Sequence, residues 1–385
     1  MNKSLFVAAA ALSLHAAVGH ADQGVSKDQI VLGSILDLSG PLAGFGKQLK
    51  NGMQMRIAEI NDKGGVDGRK LTLIIEDGGY DPKKGLLAAQ KLVQQDKVFA
   101  VLGTLGTAVA NASFAPMFER NVPNLFPTTA AREMYEPLSK LKFAFAAPYY
   151  EQIRQGVKWM ARERAAKNFC IIHQDDEFGL EIFRGAETGL KEMKQDFVEK
   201  TTFKRGATDF SAQVSRLKAS GCDTVVLGTI IRETIGTIAT AKKMGWEPQF
   251  IGTQAAYTDL IHKLGGKATD GLYATFQAAV PYLDDPSKNV RDWGERYKAA
   301  YKEDPSLFGA YGYLIIDLFY RGAKAAGPKL STETLANAFE TTAFPRDMFG
   351  SPEWKFSKTN HLGNIRSRIG QIQNGRWQAV TDYLD

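Results

Sequence analysis

The chain has 385 residues, 44% hydrophobic and 23% charged, with 37 Gly and 14 Pro. That balance excludes collagen-like, low-complexity and wholly disordered chains, and the length exceeds the roughly 250–300 residues that one core supports, so two domains are expected. The formal charge of +6, from 48 basic and 42 acidic residues, is too small and too diffuse to argue for a nucleic-acid partner.

The opening MNKSLFVAAAALSLHAAVGHADQ has a basic Lys3, an apolar run from Leu5 to Leu14 and a small-x-Ala site at Gly19-His20-Ala21. It reads as a secretory signal peptide over residues 1–21, with Asp22 as the mature N-terminus. The apolar run is shorter than the ~20 residues that a spanning helix needs. Cleavage would leave 364 of the 385 residues and, with Lys3 gone, a charge of +5 in place of +6. No Cys stands near the cleavage site, so a lipid anchor is not expected. No later run of 18 apolar residues occurs, so the exported product is expected to be soluble. Export exposes Cys170 and Cys222 to an oxidising compartment. Both lie at or just before strands, and two buried thiols are the simpler expectation, with a disulfide as the alternative.

Residues 29–36, QIVLGSIL, form an apolar strand that breaks at Asp37-Leu38-Ser39-Gly40-Pro41. Leu49, Met53, Ile57 and Ile60 then share one helix face, and Lys63-Gly64-Gly65 ends that helix. A strand over 70–76 ends at Asp77-Gly78-Gly79. Pro82 opens the next helix, striped by Leu86, Ala89 and Val93. A short strand over 99–102 leads through Gly103-Thr104-Leu105-Gly106-Thr107 into a helix reaching Met117, and residues 122–126 resume the sheet. This alternation implies a parallel sheet with helices on both faces. After Tyr149-Tyr150 the pattern restarts, with helices over 151–165, 178–194, 209–219 and 232–243 alternating with strands over 169–173, 197–203, 224–228 and 249–252. Two α/β units of about 125 residues result, without a sequence repeat between them. Beyond them come helices over 287–303, 309–326 and 331–340. Strands over 368–373 and 377–381 then flank Asn374-Gly375, a hairpin signal. This tail is expected to pack across both units.

The catalytic patterns GxSxG, HExxH, CxxC, the P-loop and the dinucleotide GxGxxG are all missing. Of five His, His15 and His20 lie in the leader, and His173, His262 and His361 have no metal-ligand spacing. Two lobes without a catalytic set point to binding, with neither cofactor nor metal. In open α/β sheets ligands sit beyond the carboxyl ends of strands, often at helix N-termini. The segments that qualify are Asp37–Gly46, Gly103–Thr107 and Pro127–Ala131 in the first unit. In the second they are Tyr149, Tyr150, Asp175–Phe178, Ile230–Glu233 and Gln254. Thr107 opens a helix and suits a carboxylate, although it also suits a simple cap. Thr128 and Thr129 add a small polar lining, and Tyr150 and Phe178 suit an apolar part of the ligand. Arg232 and Glu233 read as a rim pair. Lys83-Lys84, Lys242-Lys243 and Arg366/Arg368 read as solvent-facing.

The order and spacing of IVLGSILDLSGPLAGFG, INDKGGVDGRKLTLIIEDGGYDP, VLGTLGTAVANA, NVPNLFPTTA, GATDFSAQVSRLKASGCDTVVLG and AKKMGWEPQFIGT resemble the Leu/Ile/Val-binding family of periplasmic solute-binding proteins, which serve ABC importers. The resemblance spans nearly the whole mature chain. It implies a type I periplasmic-binding-protein fold, with two doubly wound parallel-sheet lobes joined by three crossovers. Lobe 1 would hold 22–147 plus 278–354, and lobe 2 would hold 148–277 plus 355–385. It also implies a periplasmic location, a membrane permease and ATPase as partners, and no enzymatic activity. The family pattern would place ligand contacts at Thr107, Thr128, Ala130, Phe178, Ile230 and Gln254, and the strand-end reading adds Gly106, Thr129 and Tyr150.

Three positions depart from that pattern. Ala130 stands where the family has Thr, Ile230 where it has Tyr, and Gln254 where it has the ammonium-binding Glu. A buried ammonium needs a charged or well-formed acceptor set. The nominal ligand class is amino acids, but losing the Glu weakens that assignment and raises the alternative, an aromatic or branched carboxylate lacking the amino group. Glu233 or Asp175 would have to compensate for the missing Glu. A secreted hydrolase and a sensory ligand-binding module are the rival functions.

Overall fold

The computed structural model describes residues 22–384, so the leader expected over residues 1–21 lies outside the described residues. The first sheet contains β1 (Gln29–Leu36), β2 (Lys70–Asp77), β3 (Ala100–Leu102), β4 (Asn124–Leu125) and β5 (Lys142–Phe143), all parallel in the order β2-β1-β3-β4-β5. Three helices return the chain between strands: α1 (Ala43–Asp62), α2 (Pro82–Gln94) and α3 (Thr107–Phe118). The α1 residues Leu49, Met53, Ile57 and Ile60 are buried, as their spacing predicts. At the start of α2, Asp81 accepts from the backbone N–H groups of Lys83 and Lys84, and Pro82 takes the position where a missing N–H costs nothing. Ile35, Ala89, Leu92, Val93, Val101, Val109 and Met117 form a separate core between this sheet and α2–α3.

The second sheet begins after α4 (Tyr149–Glu163). It alternates β6 (Phe169–Gln174), α5 (Glu177–Glu192), β7 (Glu199–Phe203), α6 (Ser211–Ala219), β8 (Thr224–Gly228), α7 (Ile231–Lys243), β9 (Gln249–Gly252), α8 (Asp259–Gly265) and β10 (Tyr273–Phe276). The tail then divides. Helices α9 (Lys288–Tyr301), α10 (Leu307–Ala326) and α11 (Thr332–Thr341) return to the first unit, where α10 lies along α1. That approach needs glycine: a Cβ on Gly52 would stand 1.9 Å from the Gly309 carbonyl oxygen, and one on Gly312 would stand 2.2 Å from that of Leu49. The antiparallel strands β11 (Arg368–Gln373) and β12 (Arg376–Ala379) extend the second sheet to β12-β11-β10-β9-β8-β6-β7. Asn374 and Gly375 both have positive φ, 52° and 71°, as a two-residue hairpin turn requires.

Several expectations needed correction. The strand expected over 122–126 is only Asn124–Leu125, and β5, α8 and β10 were not foreseen. Helix α4 begins at Tyr149, two residues early, which carries Tyr149 and Tyr150 into its first turn. The two-thiol expectation is overturned, because Cys170 and Cys222 form a disulfide with Cα atoms 5.9 Å apart. The cause is register. β6 and β8 are parallel neighbours with Cys170 opposite Val225, so Cys222, in the turn just before β8, lies near the start of β6 and within disulfide reach of Cys170.

Candidate functional site

The carboxyl ends of both sheets face a cavity with about 320 Å³ of empty space, which includes space open to solvent. The first unit contributes Leu42, Phe45, Tyr80, Leu105, Gly106, Thr107, Thr128 and Thr129. The second contributes Tyr149, Phe178, Ile230 and Ala255, and Phe308 comes from α10. All but Phe308 are placed by a strand end. Leu42 and Phe45 follow β1, Tyr80 follows β2, Gly106 and Thr107 follow β3, and Thr128 and Thr129 follow β4. Phe45 stacks on Phe308 with ring centroids 3.7 Å apart, and Tyr149 meets Phe178 edge-on at 5.2 Å.

Polar groups converge at one end. Helix α3 starts at Thr107 without a side-chain cap, so the N–H groups of its first turn have no intrahelical acceptor and carry the positive end of the helix dipole. Gly106, at φ 101°, makes the turn, and a Cβ there would strike the Tyr80 ring at 2.8 Å. The Thr107 and Thr129 hydroxyls are buried and lie 2.6 Å apart. Burial pushes the Tyr149 hydroxyl up to about 12, partly opposed by its hydrogen bond to Thr129. The Tyr80 hydroxyl is also pushed far up, by burial first and then by Asp176. Both phenols are neutral at neutral pH, and no Asp, Glu, Lys or Arg lines the cavity.

Of the expected site residues, Gly106, Thr107, Thr128, Thr129, Phe178 and Ile230 line this cavity together. Thr128 is already engaged, since its hydroxyl donates to the Gly103 carbonyl at 3.1 Å. Three others lie outside the walls. Ala130 is buried and offers its carbonyl to the Tyr149 N–H at 2.9 Å. Tyr150 turns away, donating to Thr188 Oγ1 at 2.9 Å beneath the Arg132 guanidinium, 5.2 Å from its ring; Tyr149 is the aromatic wall instead. Gln254 is buried, its backbone N–H donates to Gln152 Oε1 at 2.9 Å, and its own Oε1 has no hydrogen-bond partner among the described residues. The wall at that position is Ala255.

The two acids expected to compensate for the missing Glu are engaged elsewhere. Glu233 pairs with Arg232 at 3.2 Å, and Asp175 pairs with Lys204. His173 is buried against Phe183, with Nδ1 2.9 Å from the Gln174 carbonyl, and burial pushes its pKa down. His361 stacks on Phe143 beside Glu340. Among the described residues no group of three or more His, Cys, Asp or Glu could hold a metal ion, and no helix is long and apolar enough to cross a membrane. Lys83, Lys84, Lys242, Lys243 and Arg366 are exposed, whereas Arg368 is partly buried, donates to the Gln277 carbonyl and lies 4.6 Å from the Phe276 ring centroid.

Sequence reasoning missed Tyr80, Ala255 and Phe308. The Tyr80 signal was available, because it follows the strand-end Asp77-Gly78-Gly79. Phe308 had no local signal, since it reaches the cavity only through the packing of α10 on α1.

The sequence profile of the family described as "Periplasmic binding protein" matches residues 29–376. A leucine-, isoleucine-, valine-, threonine- and alanine-binding protein of Pseudomonas aeruginosa is 27% identical over 334 residues, covering 85% of this chain and 87% of the relative. A fatty acid ABC transporter substrate-binding protein from Thermomonospora curvata superposes with a TM-score of 0.84 at 21% identity, covering 94% of each chain. A branched-chain amino acid ABC transporter structure from Thermus thermophilus, with bound valine, superposes with a TM-score of 0.83 at 18% identity, covering 94% of this chain and 97% of the other. The two-sheet architecture is therefore the type I periplasmic-binding fold, and the chain belongs to the periplasmic binding protein family.

Proposed function

We propose that this chain receives a small monocarboxylate with an apolar body and no amino group in the cavity between its two lobes, and delivers it to an ABC permease and ATPase from the periplasm. The lobes are 22–147 plus 278–354 and 148–277 plus 355–385. The observation that carries this reading is the uncapped start of α3 beside two buried threonine hydroxyls, in a cavity lined mostly by aliphatic and aromatic side chains and free of carboxylates. The ligand carboxylate would accept from the first-turn N–H groups of α3 and from Thr107 and Thr129, whose hydroxyls rotate from one another toward the anion. Phe178, Ile230, Phe45 and Phe308 would cover its body. An ammonium would find no anionic partner in the walls, and burying it unpaired is costly.

The amino-acid names of the relatives favour a second reading, in which the orphaned Gln254 Oε1 takes an ammonium after a local rearrangement. A thermal-shift panel separates the two, because a ligand that binds the native state raises Tm. The panel pairs leucine, isoleucine and valine with their 2-oxo analogues and adds benzoate and phenylacetate. The proposal expects shifts from the acids lacking an amino group. Shifts from the amino acids alone would overturn it.

A further inference from the structure

Two side chains outside the cavity tie its opposite walls together. Arg132 lies between β4 and β5 of the first sheet, three residues after Thr129. Glu181 lies on α5 of the second unit, one helical turn after Phe178. Across the gap, Nε of Arg132 donates to Oε1 and Oε2 of Glu181 at 3.1 and 3.3 Å. Glu181 is 1% exposed and Arg132 is the one cation paired with it among the described residues. Tyr150 completes the arrangement, with its ring 5.2 Å from the Arg132 guanidinium and its hydroxyl anchored to Thr188 of α5. Neither Arg132 nor Glu181 lines the cavity.

We infer that Arg132 and Glu181 are a positioning pair that sets ligand affinity from outside the cavity, by holding the Thr128–Thr129 loop and the Phe178 helix in their closed arrangement. The inference rests on the reading above that the cavity takes the ligand. Separation of the lobes would leave Arg132 on one unit and Glu181 on the other, so the pair exists only when the walls are together. It therefore favours the closed state, and a ligand held by both walls gains from it without touching it. Tyr150, which sequence reasoning placed against the ligand, instead supports the guanidinium. The contact between Tyr80 and Gln174 Nε2, at 3.2 Å, also spans the units, but Tyr80 lines the cavity and cannot separate the two roles.

The test uses the mature chain in two measurements. Small-angle X-ray scattering without added solute reads the closed fraction. Calorimetry and stopped-flow with 4-methyl-2-oxopentanoate and benzoate read affinity and dissociation. Arg132→Gln and Glu181→Gln are each expected to enlarge the radius of gyration and to weaken binding about tenfold through faster dissociation, with the double variant no weaker than either single one. Arg132→Lys keeps the charge without the planar fork and is expected to fall between. Unchanged scattering together with losses that multiply in the double variant would overturn the inference. If neither acid binds the unsubstituted chain, the ligand reading fails, and the scattering alone decides the pair.

Discussion

Thr107→Val removes one hydroxyl from the centre of the polar end while nearly keeping the side-chain volume. Thr107 and Thr129 are each 1% exposed and their oxygens lie 2.6 Å apart, so the substitution breaks one buried hydrogen bond and leaves Thr129 with Tyr149 as its remaining partner. A buried neutral hydrogen bond contributes about 1 kcal/mol, and an orphaned partner costs about 1–3 kcal/mol. Because Thr129 keeps one partner, the expected loss of stability is near the lower end, about 1–2 kcal/mol. The loss in binding has a different origin. A hydrogen bond to a charged acceptor is worth about 1.5–3 kcal/mol, so affinity for a carboxylate should fall about ten- to hundredfold. Urea denaturation without ligand measures the first quantity, and calorimetry with the tightest acid of the panel measures the second. Affinity within twofold of the unsubstituted chain, with the expected destabilisation present, would refute the assignment of Thr107 to the carboxylate.

Other outcomes test separate parts of the account. Replacing both Cys170 and Cys222 with Ala opens a loop of sequence separation 52 and should cost roughly 2–4 kcal/mol in urea denaturation; a loss below about 0.5 kcal/mol would remove the disulfide from the stability account. Burial lowers the His173 pKa from its ordinary 6.5, so the unfolded chain binds the extra proton first and stability should fall as pH drops below 6.5 toward the folded value. His173→Gln should flatten that slope between pH 5 and 7, and an unchanged slope would assign it to other groups. Gln254→Glu places a carboxylate beside Ala255 of the cavity wall and should move the preference toward amino-bearing ligands; an unchanged preference would take Gln254 out of the ligand subsite.

Much of the fold was legible because burial leaves a periodic trace. β1 and the α1 stripe of Leu49, Met53, Ile57 and Ile60 stand where their spacing places them, and the Asn374-Gly375 turn identifies the hairpin. Lys142–Phe143 and Asn124–Leu125 are too short for any period, and their strand character comes from parallel neighbours. The disulfide was hidden for a related reason, since it depends on β6 lying beside β8 and not on the spacing of two cysteines. At the site, strand-end position was the useful signal, and it brought Thr107, Thr129, Phe178 and Ile230 to one cavity. It did not resolve neighbours. Tyr149 and Tyr150 occupy adjacent positions in the first turn of α4, about 100° apart around its axis, so one faces the cavity and the other faces Thr188. Ala255 and Gln254 divide in the same way at the end of β9.

The central claim is that the cavity accepts a carboxylate but has no place for an ammonium. Leucine and 4-methyl-2-oxopentanoate carry the same branched body and the same carboxylate, and differ at the α-carbon, where one bears an ammonium and the other a carbonyl. Their affinities for the mature chain, measured side by side by calorimetry, test the claim most directly. With no anionic partner in the walls, the unpaired ammonium should cost several kcal/mol, so the oxo acid should bind at least about a hundredfold more tightly. Leucine binding as tightly as its oxo analogue, or more tightly, would contradict the account.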